Sequence, residues 1–128
     1  MTDRHMHTFA RIAVLVALAT VLSATLAPVG NIESPLGLPA EAWHAILFAA
    51  LGASLSLAYA TSDSARRSPR RLLMMSLLAI WLIASTTELL QESVPGRQPQ
   101  LSDWGADMVG GVLGFLCTGP VIRMLLGR

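Results

Sequence analysis

Four long apolar runs dominate this sequence, at about residues 8–27, 42–60, 72–90 and 104–126. Each run approaches the roughly 20 apolar residues that a helix needs to cross the hydrocarbon core of a bilayer. The runs lack the period-two alternation of half-buried strands, so their length and pattern favour helices. The sequence therefore predicts an all-α, four-helix transmembrane bundle, with residues 1–128 forming a single membrane domain.

Composition agrees with this prediction and narrows the choice of partner. Of the 128 residues, 53% are hydrophobic and 13% are charged, whereas about a quarter of the residues in a soluble domain are charged. The formal net charge of +1 argues against a nucleic-acid partner, because such surfaces need clustered excess basic residues. Cys117 is the only cysteine, so the chain forms no internal disulfide.

The distribution of arginine predicts the orientation of the bundle. Eight of the nine basic residues lie at the chain ends or in the second connection: Arg4, Arg11, Arg66, Arg67, Arg70, Arg71, Arg123 and Arg128. The first and third connections together hold only Arg97. Because basic residues beside spans stay cytoplasmic, both termini are expected in the cytoplasm. Trp43 and Trp104 then fall at the outer interface, where aromatic belts occur.

A second interpretation of residues 1–27 is a cleaved signal peptide, which would leave three spans and an outward N-terminus. The basic start and the apolar core fit that interpretation. Pro28 directly after Ala27 is a poor cleavage context, and the apolar core is long. An uncleaved first span is therefore favoured.

Polar residues gather at the predicted extracytoplasmic ends of the spans, namely His44, Glu88, Gln91, Arg97, Asp103 and Asp107. Ionisable groups in or beside a span are costly, so they mark a functional site by default. The alternative is an interfacial residue in contact with water and headgroups, which is favoured for Glu41 and Glu92. Glu88 and Asp107 have apolar neighbours on both sides, which favours a site.

Helical spacing places these groups on shared faces. Glu88 and Gln91 are three residues apart, and Asp103 and Asp107 are four apart, so each pair lies on one face of its helix. Below the aspartates, the fourth run carries a small residue at every fourth position: Ala106, Gly110, Gly114 and Thr118. Such a stripe lets another helix approach closely. The third span is the expected neighbour.

The connection between the third and fourth runs contains Pro95-Gly96, which predicts a turn that folds Arg97 back toward the carboxylates. Two roles for this guanidinium remain open. It could form an internal salt bridge with Asp103, or it could clamp a phosphate or carboxylate of a ligand.

Chemistry is assigned to these residues as a hypothesis. Glu88 and Asp103 are candidates for a general acid or base, with His44 as a further catalytic candidate. Gln91, Arg97 and Asp107 are candidates for ligand binding. Imidazole and carboxylates can also bind zinc or manganese, but the chain has no tight motif such as His-x-x-x-His, so no metal or other cofactor is predicted.

A family pattern runs through the same residues. Glu88, Gln91, Pro95-Gly96-Arg97, Asp103, Asp107 and the glycines Gly110, Gly111 and Gly114 follow in an order that closely resembles the VanZ-like family. The earlier His44, Phe48 and Leu51-Gly52 are similar to that family's first signature, so the resemblance covers about residues 40–115. The chain departs from the family at Ala40-Glu41, where Asp-Lys is common, at Phe48, where Tyr is common, and at Asp107, where Asn is usual.

The resemblance implies a multi-pass protein of the bacterial cytoplasmic membrane. The name-giving member is associated with reduced susceptibility to teicoplanin, a glycopeptide with a lipid tail. Two functions follow as hypotheses. The first is an outward-facing site that binds or modifies a cell-envelope amphiphile, with membrane lipids or lipid-linked envelope molecules as partners. The second is a non-catalytic accessory subunit whose polar cluster is structural, and whose partner is another copy or another membrane protein.

Overall fold

The computed structural model describes residues 3–28, 37–62 and 68–125. Within these ranges the regular structure is helical: α1 is Asp3–Thr25, α2 is Ala40–Thr61, α3 is Pro69–Gln91 and α4 is Leu101–Leu125. The predicted all-α four-helix bundle is confirmed. Three of the arginines used to predict orientation, Arg66, Arg67 and Arg128, lie outside the described residues.

Every helix begins two to five residues before the corresponding predicted apolar run. Proline sets two of these starts, with Pro39 at the N-cap of α2 and Pro69 in the first turn of α3. The first amides of a helix have no intrahelical acceptor, so the missing N–H of proline costs nothing there. Glu41 in the first turn of α2 adds a favourable interaction with the helix dipole.

The surface of the bundle is apolar. By length and composition, Arg4–Thr25, Ala40–Thr61 and Arg70–Gln91 are each suited to crossing a membrane. Large hydrophobic side chains are exposed on all four helices, as at Leu15 of α1, Ile46 of α2, Met74 of α3 and Leu113 of α4. Exposed apolar surface of this extent fits a lipid environment. α4 exposes such side chains as the other three helices do.

Helices α2 and α4 run parallel and approach at backbone distance. A Cβ on Gly110 would overlap the backbone of Ala45, and one on Gly114 would overlap Ala49 one turn further along. The expectation that the small-residue stripe faces the third span is therefore wrong at Gly110 and Gly114, which contact α2. The adjacent Gly111 is the position that faces α3.

The core lies around this contact. Its buried side chains come from all four helices: Val21, Phe48, Leu51, Ile80, Ala84 and Phe115. One end of the bundle is where α1 and α3 end and α2 and α4 begin. We call it the polar end, because the four buried ionisable side chains His44, Glu88, Asp103 and Asp107 lie there. The exposed Arg4, Arg70 and Arg71 lie at the opposite end.

Candidate functional site

His44 is the centre of a buried cluster at the polar end. Its Nδ1 lies 2.9 Å from Oδ1 of Asp107, and its Nε2 lies 3.7 Å from Oδ2 of Asp103. Oε1 of Glu88 is 4.0 Å from Nδ1. The exposed fractions of the four residues range from 0% for Asp107 to 6% for Glu88. Four ionisable groups predicted from separate parts of the chain therefore meet in one place.

The order of the helices explains this meeting. α2 and α4 run parallel, so His44 near the start of α2 lies opposite Asp107 near the start of α4. Asp103, one turn earlier on the same face of α4, reaches the other ring nitrogen. α3 runs in the opposite direction and delivers Glu88 from its last turn. The backbone N–H of Gln100 donates to Oε2 of Glu88 at 2.9 Å and so ties the α3–α4 connection to α3.

Several polar atoms of this cluster have no hydrogen-bond partner among the described residues. They are Oε1 of Glu88, Oδ1 of Asp103, Oδ2 of Asp107 and Nε2 of Gln91, which is itself 1% exposed. A buried polar group without a partner costs about 1–3 kcal/mol, and more if it is charged. The cluster thus offers several acceptors and one amide donor to a ligand, a proton or a cation.

Arg97 has a role that the sequence analysis missed. Its Nε donates to the carbonyl of Ala27 at 2.9 Å, and its Nη2 donates to the carbonyl of Ala24 at 3.0 Å. The final carbonyls of a helix lack intrahelical donors, and the last turn of α1 contains no basic residue of its own. Among the described residues, the ion pairs within 4.0 Å all use His44, so Arg97 caps α1 rather than bridging to Asp103.

The turn that presents Arg97 depends on Pro95 and Gly96. The N–H of Arg97 donates to the carbonyl of Val94 at 3.1 Å, and Gly96 has a φ of 79°. This is a type II turn, with proline in its second position and a positive φ in its third. Glycine adopts that φ without a Cβ clash, so the Pro-Gly pair sets the direction in which Arg97 leaves the turn.

An open groove lies beside the cluster, between the end of α3 and the start of α4. Its volume is about 360 Å³, and its lining includes Ser85, Glu88, Leu89, Leu101 and Trp104. The indole Nε1 of Trp104 donates to Oγ of Ser85 at 3.2 Å. Ser85 was not predicted as a site residue, although its position three residues before Glu88 places it on the same helix face.

Glu88 is shared between the two features. One carboxylate oxygen approaches His44 in the cluster, and the residue also forms part of the groove wall. The remaining predicted site residues are of two kinds: a buried polar side chain, and residues that set the turn and the helix packing. Gln91 is buried one turn after Glu88, whereas Pro95, Gly96, Gly110, Gly111 and Gly114 shape the turn and the helix contacts described above.

Comparison with models of known protein families identifies a family for this chain. The model of the VanZ/LLP1 family matches residues 5–123, which include most of all four helices and the whole polar cluster. No curated protein and no solved structure matches the chain. The match covers far more than half of the sequence. This membrane protein therefore belongs to the VanZ/LLP1 family.

Proposed function

We propose that the polar end binds an amphiphile of the bacterial cell envelope and modifies it by acid–base chemistry. The observation that carries the proposal is the position of Glu88, which belongs both to the buried ionisable cluster and to the wall of an open, largely apolar groove. An amphiphile has the matching arrangement, with an apolar chain joined to a polar head.

The groove suits the apolar part of such a molecule. Leu89 and Leu101 line it and are exposed by 70% and 82%, so it is open to the surroundings of the bundle. Its volume of about 360 Å³ lies within the roughly 300–1,000 Å³ of small-molecule sites. A chain that entered from the bilayer would place its polar head against Glu88.

The cluster offers the components of acid–base catalysis. Oδ1 of Asp107 lies within hydrogen-bond distance of Nδ1 of His44. In many hydrolytic sites a third group orients a histidine base by the same kind of contact. Nε2 then faces Asp103, and Glu88 lies at the entrance from the groove. In this proposal Glu88 or Asp103 moves a proton on the bound head group, and His44 supports that transfer.

Charge distribution supports an outward-facing site. The exposed Arg4, Arg70 and Arg71 lie at the end opposite the cluster. Basic residues beside spans are retained on the cytoplasmic side, so in this proposal the polar end faces the extracytoplasmic leaflet. Lipid-linked envelope molecules and lipid-tailed glycopeptides such as teicoplanin are encountered there.

The test compares lipids and cell-wall precursors by mass spectrometry in bacteria that express the native protein, Glu88→Gln or Asp103→Asn at equal levels. Glu92→Gln is the matched control, because it removes an exposed carboxylate one turn after Glu88. We expect one amphiphile to change in amount with the native protein and the control, and not with either cluster variant. Identical profiles in all strains, with no lipid co-purifying with the native protein, would contradict the proposal.

A second candidate is a non-catalytic accessory subunit. The contact between His44 and Asp107 joins α2 to α4, and Glu88 joins α3 to the following connection, so the cluster also links helices. This candidate predicts that Asp103→Asn lowers the amount of folded protein in the membrane together with any phenotype. Normal abundance with a lost phenotype would count against it.

A further inference from the structure

We infer that His44, Glu88 and Asp103 together bind a divalent first-row transition-metal ion, with Asp107 orienting the imidazole. The inference rests on the site of the proposed function and gives that site a cofactor. Its test is nevertheless independent of any amphiphile, because metal binding is measured directly on the purified protein.

The distances between donor atoms suit a shared ion. One ligand atom from each of His44, Glu88 and Asp103 lies within 4.8 Å of the other two, and all three residues are buried. In a tetrahedral site with metal–ligand bonds of about 2.0–2.2 Å, neighbouring donors are roughly 3.3–3.6 Å apart. Nε2 of His44 and Oδ2 of Asp103 are already 3.7 Å apart. Oε1 of Glu88 lies 4.0 Å from Nδ1, so its side chain must rotate toward Nε2 to complete the set of ligands.

The imidazole of His44 is held as a metal ligand would be. A ligating histidine usually donates its second ring N–H to a carboxylate, which fixes the ring and makes the coordinating nitrogen more basic. Asp107 is 0% exposed and contacts Nδ1 at 2.9 Å. This contact leaves the lone pair of Nε2 directed to the side where Asp103 lies.

Charge supplies a second argument. Three carboxylates surround one imidazole. Arg97, which was expected to fold toward these carboxylates, donates instead to the carbonyls of Ala24 and Ala27. Within the part of the chain that the structure describes, Oε1 of Glu88 and Oδ1 of Asp103 are buried without hydrogen-bond partners. Uncompensated buried charge is costly, and a dication would both offset the charge and occupy these acceptors.

The donor set narrows the identity of the ion. Carboxylates alone would suit Mg²⁺ or Ca²⁺, whereas imidazole favours transition metals. One imidazole with two carboxylates therefore points to an ion such as Zn²⁺ or Mn²⁺. Three protein ligands leave a coordination position for water or substrate, as in catalytic zinc sites, and the ligand Glu88 borders the groove.

The experiment uses the full chain, purified in detergent and stripped of metal with a chelator. The protein is loaded separately with Zn²⁺, Mn²⁺ or Mg²⁺ and desalted, and the retained metal is measured by mass spectrometry. We expect about one Zn²⁺ or Mn²⁺ per native chain and little Mg²⁺. Retention should fall at least about tenfold in His44→Ala and in Asp103→Asn, and Asp107→Asn should bind about 10–100-fold more weakly.

Glu41→Gln and Glu92→Gln are the matched controls, because each removes an exposed carboxylate beside the cluster. Circular dichroism and size-exclusion chromatography establish that each variant is folded, and Asp103→Asn preserves side-chain shape if His44→Ala fails to fold. Native protein that is folded but retains no stoichiometric ion would overturn the inference, as would equal retention in cluster variants and controls. Metal binding without any change in envelope amphiphiles would instead contradict only the proposed function.

Discussion

The contact between α2 and α4 is built differently in its middle and at the polar end. In the middle, Gly110 meets Ala45 and Gly114 meets Ala49 with no room for a side chain between the backbones. Less than one turn nearer the polar end, the hydrogen-bonded side chains of His44 and Asp107 form the contact instead. One pair of parallel helices thus passes from close backbone packing to a polar cluster.

The two regions differ in what they contribute to the folded state. Close packing of small residues gains dispersion energy without leaving polar groups unpaired. The cluster buries three carboxylates and leaves one oxygen of each without a hydrogen-bond partner in residues 3–28, 37–62 and 68–125. Apolar side chains of similar volume would often stabilise a fold as well or better than buried ion pairs do. The glycine region therefore explains how the helices hold together, whereas the unpaired carboxylate oxygens are the groups that the proposed ligand or ion would contact.

The largest loss of stability is expected from Gly110→Ala. The added Cβ would overlap the backbone of Ala45, and a backbone cannot yield as a flexible side chain can, so we expect a loss of about 3 kcal/mol in the free energy of unfolding. Gly105→Ala is the control, because a Cβ there meets nothing within 4 Å. Denaturant titration in detergent measures the free energy of unfolding of both variants. Equal stability of the two variants would contradict the description of the α2–α4 contact.

Much of the architecture could be predicted because it depends on properties of single segments. Apolar run length decided the four helices, and positions at the span ends placed Glu88, Asp103 and Asp107 at one level. Spacing of four residues put Asp103 and Asp107 on one helix face. The neighbour of the Gly110 stripe could not be read in this way. A periodic pattern assigns residues to one face of a helix, but the packing of the whole bundle decides which helix that face meets.

The partners of Arg97 were missed, and a metal site at His44 and the carboxylates was considered but not predicted, for related reasons. The guanidinium donates to carbonyls that precede it by 70 and 73 residues, and no local sequence pattern predicts a contact over that separation. The proposed metal ligands come one each from α2, α3 and α4, so they form no short motif of the kind by which metal sites are found in sequences. Both features depend on tertiary structure.

A smaller effect is expected from Arg97→Ala, which tests how the polar end is attached to α1. The change removes two charge-assisted hydrogen bonds to Ala24 and Ala27, so we expect a loss of about 2 kcal/mol in the free energy of unfolding. Hydrogen exchange should become faster at the end of α1, while the glycine-packed region stays protected. Gln98→Ala, at an exposed neighbour, is the control. Unchanged hydrogen exchange at the end of α1 would contradict the capping role of Arg97.

The smallest effect is expected from Asp107→Asn in metal-free protein, although Asp107 is only three residues from Gly110. Asparagine has nearly the same shape, and its side-chain oxygen can still accept from Nδ1 of His44. The change also removes one of three clustered carboxylate charges, so lost attraction to His44 is offset by reduced repulsion. We expect a change of less than about 1 kcal/mol.

Denaturant titration of chelator-treated protein measures this change, with Gly110→Ala in parallel as the reference for a disrupted contact. A loss as large as that of Gly110→Ala would mean that the charge of Asp107 itself holds α2 to α4, and the accessory-subunit candidate would then gain support. A small change in the free energy of unfolding, combined with weaker metal binding by the same variant, would support different roles for the glycine contact and the cluster. The glycines would then determine stability, and the carboxylates would determine what the site binds.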